Sequence, residues 1–224
     1  MGVPKITDEL NDMGFPVGKN RVARRMKRAG LRSIVRRKYR ATTDSKHSHP
    51  VADNLLKRDF TASSPDRVWV SDITYISTTR GWLYLTVFID LFSRMVVGWA
   101  LSSSLSTDMV LTALKRGIRN RRPRAGLIIH SDRGVQYACK DFRKVLGKHH
   151  FVQSMSRKGD CWDNAVAESF FGSLKQERVQ WRSYQTRHEA QQDILQYISM
   201  FYNSQRLHSY LNYQSPNQYE KEMA

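Results

Sequence analysis

Three carboxylates are set out for phosphate chemistry: Asp72 in the run RVWVSDITYI, Asp132 closing the apolar run LIIHSD, and Glu168 inside the stretch DNAVAESFFGSLKQE. Between Asp132 and Glu168 lie 35 residues, and Lys175 follows Glu168 by seven. A Mg²⁺ ion that keeps part of its water is usually held by one or two carboxylates and by substrate oxygens, so three acids suffice in number. Carboxylates at strand ends and on a helix, in a chain with a large positive excess, are what a magnesium-dependent enzyme acting on nucleic-acid phosphates needs.

Each acid also has an ordinary reading. Asp132 in HSDRG suits a turn after a strand, and Glu168 alone suits a solvated helix. Asp72 resists, because it interrupts a strand face shared with Val68 and Val70, where an unpaired carboxylate is costly unless it binds something positive. Among rival groups, Asp90 in FIDLFSR reads as a hairpin-turn residue, and Asp160 and Asp163 read as helix caps. His130 could assist the site, although a strand-end histidine in a satisfied hydrogen bond is the more common arrangement. No GxSxG, HExxH or phosphate-cradling glycine loop competes.

The elements that must position these groups follow from periodicity. Strand-like runs VWVSDITYIST, WLYLTVFIDLF and RMVVGWAL, separated by short loops, predict antiparallel hairpins. A helix over 106–120 with Ser106 or Thr107 as cap, a fourth strand LIIHSD, a helix over 136–148, a fifth strand FVQSM and a longer helix over 162–180 follow. On that last helix, 100° per residue places Asn164, Glu168 and Lys175 on one face, puts Glu177 opposite Glu168, and lets Trp162, Val166, Phe170 and Leu174 seat on a core. Adjacent parallel placement of the first and fourth strands would bring Asp72 and Asp132 to one edge, where open α/β sheets gather their ligands. The fold class is therefore α/β, a mixed sheet of three antiparallel strands and then two parallel ones with helices on both faces.

Towards the amino terminus, PKITDELND predicts a short helix broken by GFPV. GKNRVARRMKRAGLRS then predicts a second, strongly basic helix whose apolar side continues past Gly30. This is the layout of a helix-turn-helix, with Arg21, Arg24, Arg25 and Arg28 available to DNA; the competing reading is a solvated basic helix packed on the main domain. The expected division is a helix-turn-helix-like segment at 1–40, a polar linker at 41–64 with one contact at Leu55 and Leu56, a core at 65–181, and a helix and irregular tail at 182–224.

The 224 residues carry 37 Lys and Arg against 20 Asp and Glu, a net +17, and residues 1–60 hold 15 basic against 6 acidic residues. A field of that size favours a polyanion, nucleic acid first. Cys139 and Cys161 form no CxxC pair, which argues against a disulfide framework and a cysteine zinc site. No run approaches a membrane span, and the start lacks a secretory apolar region, so a cytoplasmic chain without a membrane partner is expected.

The segments WVSDITYI, VFIDLFSRMVVGW, HSDRGVQY, CWDNAVAESFFGSLKQE and YNSQRLHSYLNYQSP resemble the catalytic part of insertion-sequence transposases of the IS-three family, over nearly the whole chain. The acidic spacing with its following lysine is also similar to retroviral integrase cores. The resemblance implies an RNase H-like catalytic domain that cleaves DNA and transfers a 3′-OH strand. It further implies Asp72, Asp132 and Glu168 as ligands of Mg²⁺, with Mn²⁺ as substitute and two ions in the mechanism, and Lys175 on DNA. Partners would be double-stranded DNA, at element ends and target, and further copies of the chain. Family members usually continue before the point matching Met1, which leaves open whether the 1–40 segment is shortened. A DNA-binding repressor of transposition without catalysis and an RNase H-like nuclease are the alternatives.

Overall fold

The structure, a computed structural model, describes residues 2–31, 48–157 and 161–223. Expectations for the linker at 41–47, the end of the 1–40 segment, Asp160 and the Trp162 side chain lie outside what is described.

A five-stranded mixed sheet organises the chain, in the order β3-β2-β1-β4-β5. Strands β1 (Val68–Thr78), β2 (Gly81–Asp90) and β3 (Val96–Ser102) form the antiparallel meander that their β-branched and aromatic runs predict. Only Thr79 and Arg80 join β1 to β2, and Gly81 closes that turn at a φ of 97°, a conformation glycine tolerates. Strands β4 (Ile128–Ser131) and β5 (Val152–Met155) then add in parallel on the other side of β1.

Parallel strands require crossovers, and helices supply them. Helix α3 (Thr107–Arg121) starts where expected, with the Ser106 hydroxyl accepting the Met109 N–H. It lies so close to β3 that a Cβ at Gly98 would come within 2.4 Å of the Ala113 carbonyl oxygen, which leaves no room for any other residue. The stretch expected as one helix over 136–148 is two, α4 (Val135–Ala138) and α5 (Lys140–Lys148), because Cys139 adopts an extended backbone between them. With α3 they cover one face of the sheet, over Trp69, Ile73, Phe88 and Ile129.

The opposite face is covered by α6 (Ala165–Glu177), by α7 (Arg187–Gln196), and by a π-helical turn, Tyr197–Tyr202, that continues α7. Phe170 and Leu174 are buried there as their spacing predicts. Leu56, from the expected linker contact, is buried in the same core. The carboxyl-terminal tail is more ordered than expected. Asn203 pairs with both backbone groups of Val96 on the free edge of β3, at 3.0 Å each, and a last helix, α8 (Pro216–Met223), brings Glu220 to Arg121 of α3.

At the amino terminus α1 (Val3–Asp12) and α2 (Lys19–Arg28) pack on each other, with the side chain of Asn11 tying the turn to Val17. The second helix ends at Arg28 and does not continue past Gly30, whose φ of 68° is incompatible with helix; Leu31 is largely exposed.

Candidate active site

Sheet register makes the site. Ser71 of β1 pairs with Ser131 of β4, so the next residues, Asp72 and Asp132, leave the parallel pair side by side. Strand β4 stops there while β1 runs on to Thr78, and α6 packs against β1 with Glu168 in its first turn. The parallel placement expected from sequence is thus present, and both aspartates and the glutamate converge on one end of the sheet.

Asp72 is buried, with one carboxylate oxygen accepting the Ile73 N–H at 2.7 Å. Burial holds its carboxyl well above the usual range, the charge of Asp132 raises it further, Glu168 adds to this and Lys175 opposes it. Asp132 is half-buried and accepts the Gly134 N–H at 2.9 Å, a turn contact that also fits its ordinary reading. Lys175 sits with its ammonium 5.1 Å from the centre of the Tyr75 ring; burial lowers its pKa while Asp72 raises it. Among the described residues no three His, Cys, Asp or Glu side chains are gathered closely enough to hold an ion as they stand. Asp72 feels the charge of Asp132 and Glu168 without the three closing into a cage.

The surrounding groups are structural. Beneath the aspartates, Tyr137 is fully buried and shares a 2.9 Å hydrogen bond with Ser71; burial, with Asp72 and Asp132 nearby, keeps its phenol protonated. His130 lies fully buried between Ser154, 2.8 Å from Nδ1, and the Asp163 carbonyl, 2.9 Å from Nε2. Burial lowers its pKa, and since a carbonyl only accepts, the neutral ring donates from Nε2. It is the satisfied histidine, not a helper of the site.

Of the other acids, the expectation for Asp163 is corrected and that for Asp90 is met in a buried setting. Asp163 does not cap a helix: it receives Asn54 at 2.8 Å, Arg58 at 3.3 Å and both the backbone and guanidinium of Arg157. Burial alone would raise its pKa, yet these donors bring it down to about 2. Asp90 stands at the β2–β3 hairpin turn as expected, its N–H donating to the Met95 carbonyl at 2.9 Å. It ends β2 fully buried, accepting from the Asp66 N–H and the Ser93 hydroxyl, and burial with Asp66 nearby pushes its pKa up to about 7.

Of the expected DNA contacts, Arg21, Arg24, Arg25 and Arg28 are all exposed, and their spacing sets them on one face of α2. Asn164 is placed differently. A 3₁₀ turn, Cys161–Asn164, precedes α6, and Asn164 is buried there, its amide donating to the Ser71 carbonyl at 3.2 Å. Sequence reasoning missed this tie between α6 and the residue preceding Asp72, and it missed Arg206, which forks onto Glu177 near the end of α6 at 2.9 Å. Neither pair has a local sequence signal, since the partners are remote in the chain.

Comparison with known proteins matches this architecture. Family models described as integrase core domain match residues 62–161 and 168–223, and one described as HTH-like domain matches residues 1–39. Solved structures of the same fold include the magnesium complex of the HTLV-2 integrase catalytic core domain in its trimeric form. That structure has a TM-score of 0.55 and 16% identity, covering 70% of this chain and 97% of that one. A simian T-cell lymphotropic virus intasome chain reaches a TM-score of 0.60 at 15% identity, over 80% of this chain and 60% of that one. Curated relatives are far nearer in sequence. The 31 kDa protein of insertion element IS600 from Shigella sonnei is 44% identical over 96% of this chain and 79% of its own length. Transposase InsF of insertion sequence IS3A from Escherichia coli K12 is 42% identical over 98% and 76%.

An RNase H-like sheet with an integrase core, preceded by an HTH-like domain, defines a DDE-type polynucleotidyl transferase, a class of DNA-recombining enzyme. Within that class the chain belongs to the IS3 family of insertion-sequence transposases.

Proposed function

We propose that Asp72, Asp132 and Glu168 are the catalytic acids of this transposase and hold its divalent metal, Mg²⁺ with Mn²⁺ as substitute, as two ions. The observation that carries the assignment is the buried Asp72 carboxyl, which faces the charge of Asp132 and Glu168 and has Lys175 as the opposing cation. Such an arrangement is unfavourable in a resting protein unless positive charge arrives, and three carboxylates are the hard oxygen donors that Mg²⁺ prefers. When bound, the metal would activate a water or a DNA 3′-OH for in-line attack and stabilise the leaving 3′ oxygen.

The chain's own residues supply the rest. Lys175 presents its ammonium beside the acids and contacts the DNA, and its cation–π contact with Tyr75 limits how far that charge can wander. Asn164 holds β1 at Ser71, fixing the strand that carries Asp72. Arg21, Arg24, Arg25 and Arg28 on α2 contact duplex DNA, because a basic helix fits the DNA major groove. Catalysis on two element ends would require a homo-oligomer assembled on DNA.

Incubating the purified chain with labelled element ends and Mg²⁺ tests this. New 3′ ends and joined strands are expected. Shifted complexes without new ends would make the chain a DNA-binding repressor, and efficient cleavage of RNA–DNA hybrid without joining would make it a nuclease.

A further inference from the structure

The exposed tip of the β1–β2 hairpin carries an aromatic pair that the catalytic assignment does not use. Tyr75 pairs across the strands with Tyr84, and Trp82 with Ser77, so Tyr75 and Trp82 are diagonal neighbours on one face. Their rings meet edge to face, with centroids 4.8 Å apart. Trp82 is 49% exposed, while the next residue, Leu83, is fully buried. A large ring therefore stands in solvent at the end of a strand that is otherwise almost wholly covered.

Two kinds of contact tie this pair to the chemistry. On one side the Lys175 ammonium lies over the Tyr75 ring and also within the field of Asp72, so the acids, the lysine and the two rings form a continuous series. On the other side Arg187 donates to the Trp82 carbonyl at 3.2 Å, and Arg80 is exposed in the turn. Aromatic faces flanked by cations are what binds unpaired nucleic acid, through base stacking beside backbone neutralisation. The distance is also suitable. Trp82 stands opposite Ser77, five residues of strand beyond Asp72, a span of about 17 Å; duplex DNA advances about 3.4 Å per nucleotide, so Trp82 lies within roughly five nucleotides of a phosphate at Asp72.

We propose that Trp82, backed by Tyr75, is a stacking site for an unpaired nucleobase of the DNA substrate, within about five nucleotides of the reacting phosphate. The ring takes up a base freed when the duplex frays at the reacting end, so the strand enters the carboxylate site unpaired. This rests on the assignment of Asp72, Asp132 and Glu168 as the catalytic acids.

The test compares element-end duplexes that are fully paired with ones mismatched over the last five base pairs, with Ca²⁺ in place of Mg²⁺. Wild-type chain is expected to prefer the mismatched end. Trp82→Ala is expected to bind that end about tenfold more weakly and to lose the preference, Trp82→Phe to retain it, and Trp82→Leu, which keeps apolar bulk without a π-face, to behave as the alanine variant. A 5-iododeoxyuridine within about five nucleotides of the end should photocrosslink to the 75–84 hairpin.

If Trp82→Ala and Trp82→Leu bind and discriminate as wild type, the stacking site is wrong while the transposase reading stands. The same conclusion follows if Trp82→Ala changes only self-association, which would make the ring a contact between copies. A wild-type chain that binds no DNA overturns both.

Discussion

Two buried carboxyls on this sheet are raised alike, by burial first and by neighbouring acids second, and what surrounds each separates chemistry from architecture. Asp72 is raised by burial and by two further acids at the end of the sheet, where a cation and a DNA phosphate would be received. Asp132→Asn should therefore keep DNA affinity while lowering cleavage by more than about 10³-fold, as removal of an essential group does; normal cleavage of an element end by this variant would break the site assignment. Asp90 is raised to about 7 in the folded chain, against an ordinary carboxylate value of 3.8, by burial and the nearby Asp66. The folded state then binds more protons than the unfolded one, so its contribution is fully present below about pH 4 and is lost as pH rises towards 7. Asp90→Asn removes that dependence. Urea unfolding should show the variant gaining on wild type by about 3 kcal/mol between pH 5 and pH 8, and a constant difference would place the burden on another group.

Helix α6 is held at both ends by contacts that no local pattern announces. Asn164 ties its start to Ser71, and near its end Glu177 receives the Arg206 fork at 2.9 Å and the Tyr197 hydroxyl at 2.8 Å. Since Glu168 and Lys175 lie between these ties, the carboxyl-terminal segment helps to orient the helix that carries them. Arg206→Ala should cost about 1–3 kcal/mol and raise amide exchange in the last two turns of α6, and Arg206→Lys should recover little because a point charge cannot replace the fork. Unchanged exchange would detach the tail from the site. The five strands and α3 were legible because β-branched, aromatic and apolar runs and a Ser cap are local signals, and Asp72 was legible because an acid breaking an apolar face is a local anomaly. The buried place of Asn164 was not, since it depends on Ser71, distant in sequence, whereas α8 carried a local start signal that was overlooked, Ser215 capping the Gln218 N–H ahead of Pro216. Asp163 was misread because its partners Asn54 and Arg58 are brought to it only by the fold.

At the scale of the molecule the positive excess is divided between α2, where four exposed arginines share a face, and a core whose working groups are negative. No described helix is long and apolar enough to cross a membrane. Charge at a distance from the acids can raise DNA concentration at the core without neutralising the site, and such binding weakens steeply with salt as released counterions are restored. Replacing Arg21, Arg24, Arg25 and Arg28 together with alanine should lower affinity across all duplex sequences and flatten the log affinity against log salt plot by about one unit for each arginine that touches a phosphate. Fluorescence anisotropy at four or five salt concentrations measures that slope directly. The same variant should cleave a saturating pre-bound end at close to the wild-type rate, because nothing in the carboxylate site depends on α2. An unchanged slope would assign the basic face to solvent, whereas a lost slope with lost single-turnover cleavage would show that α2 positions the end and does more than attract it.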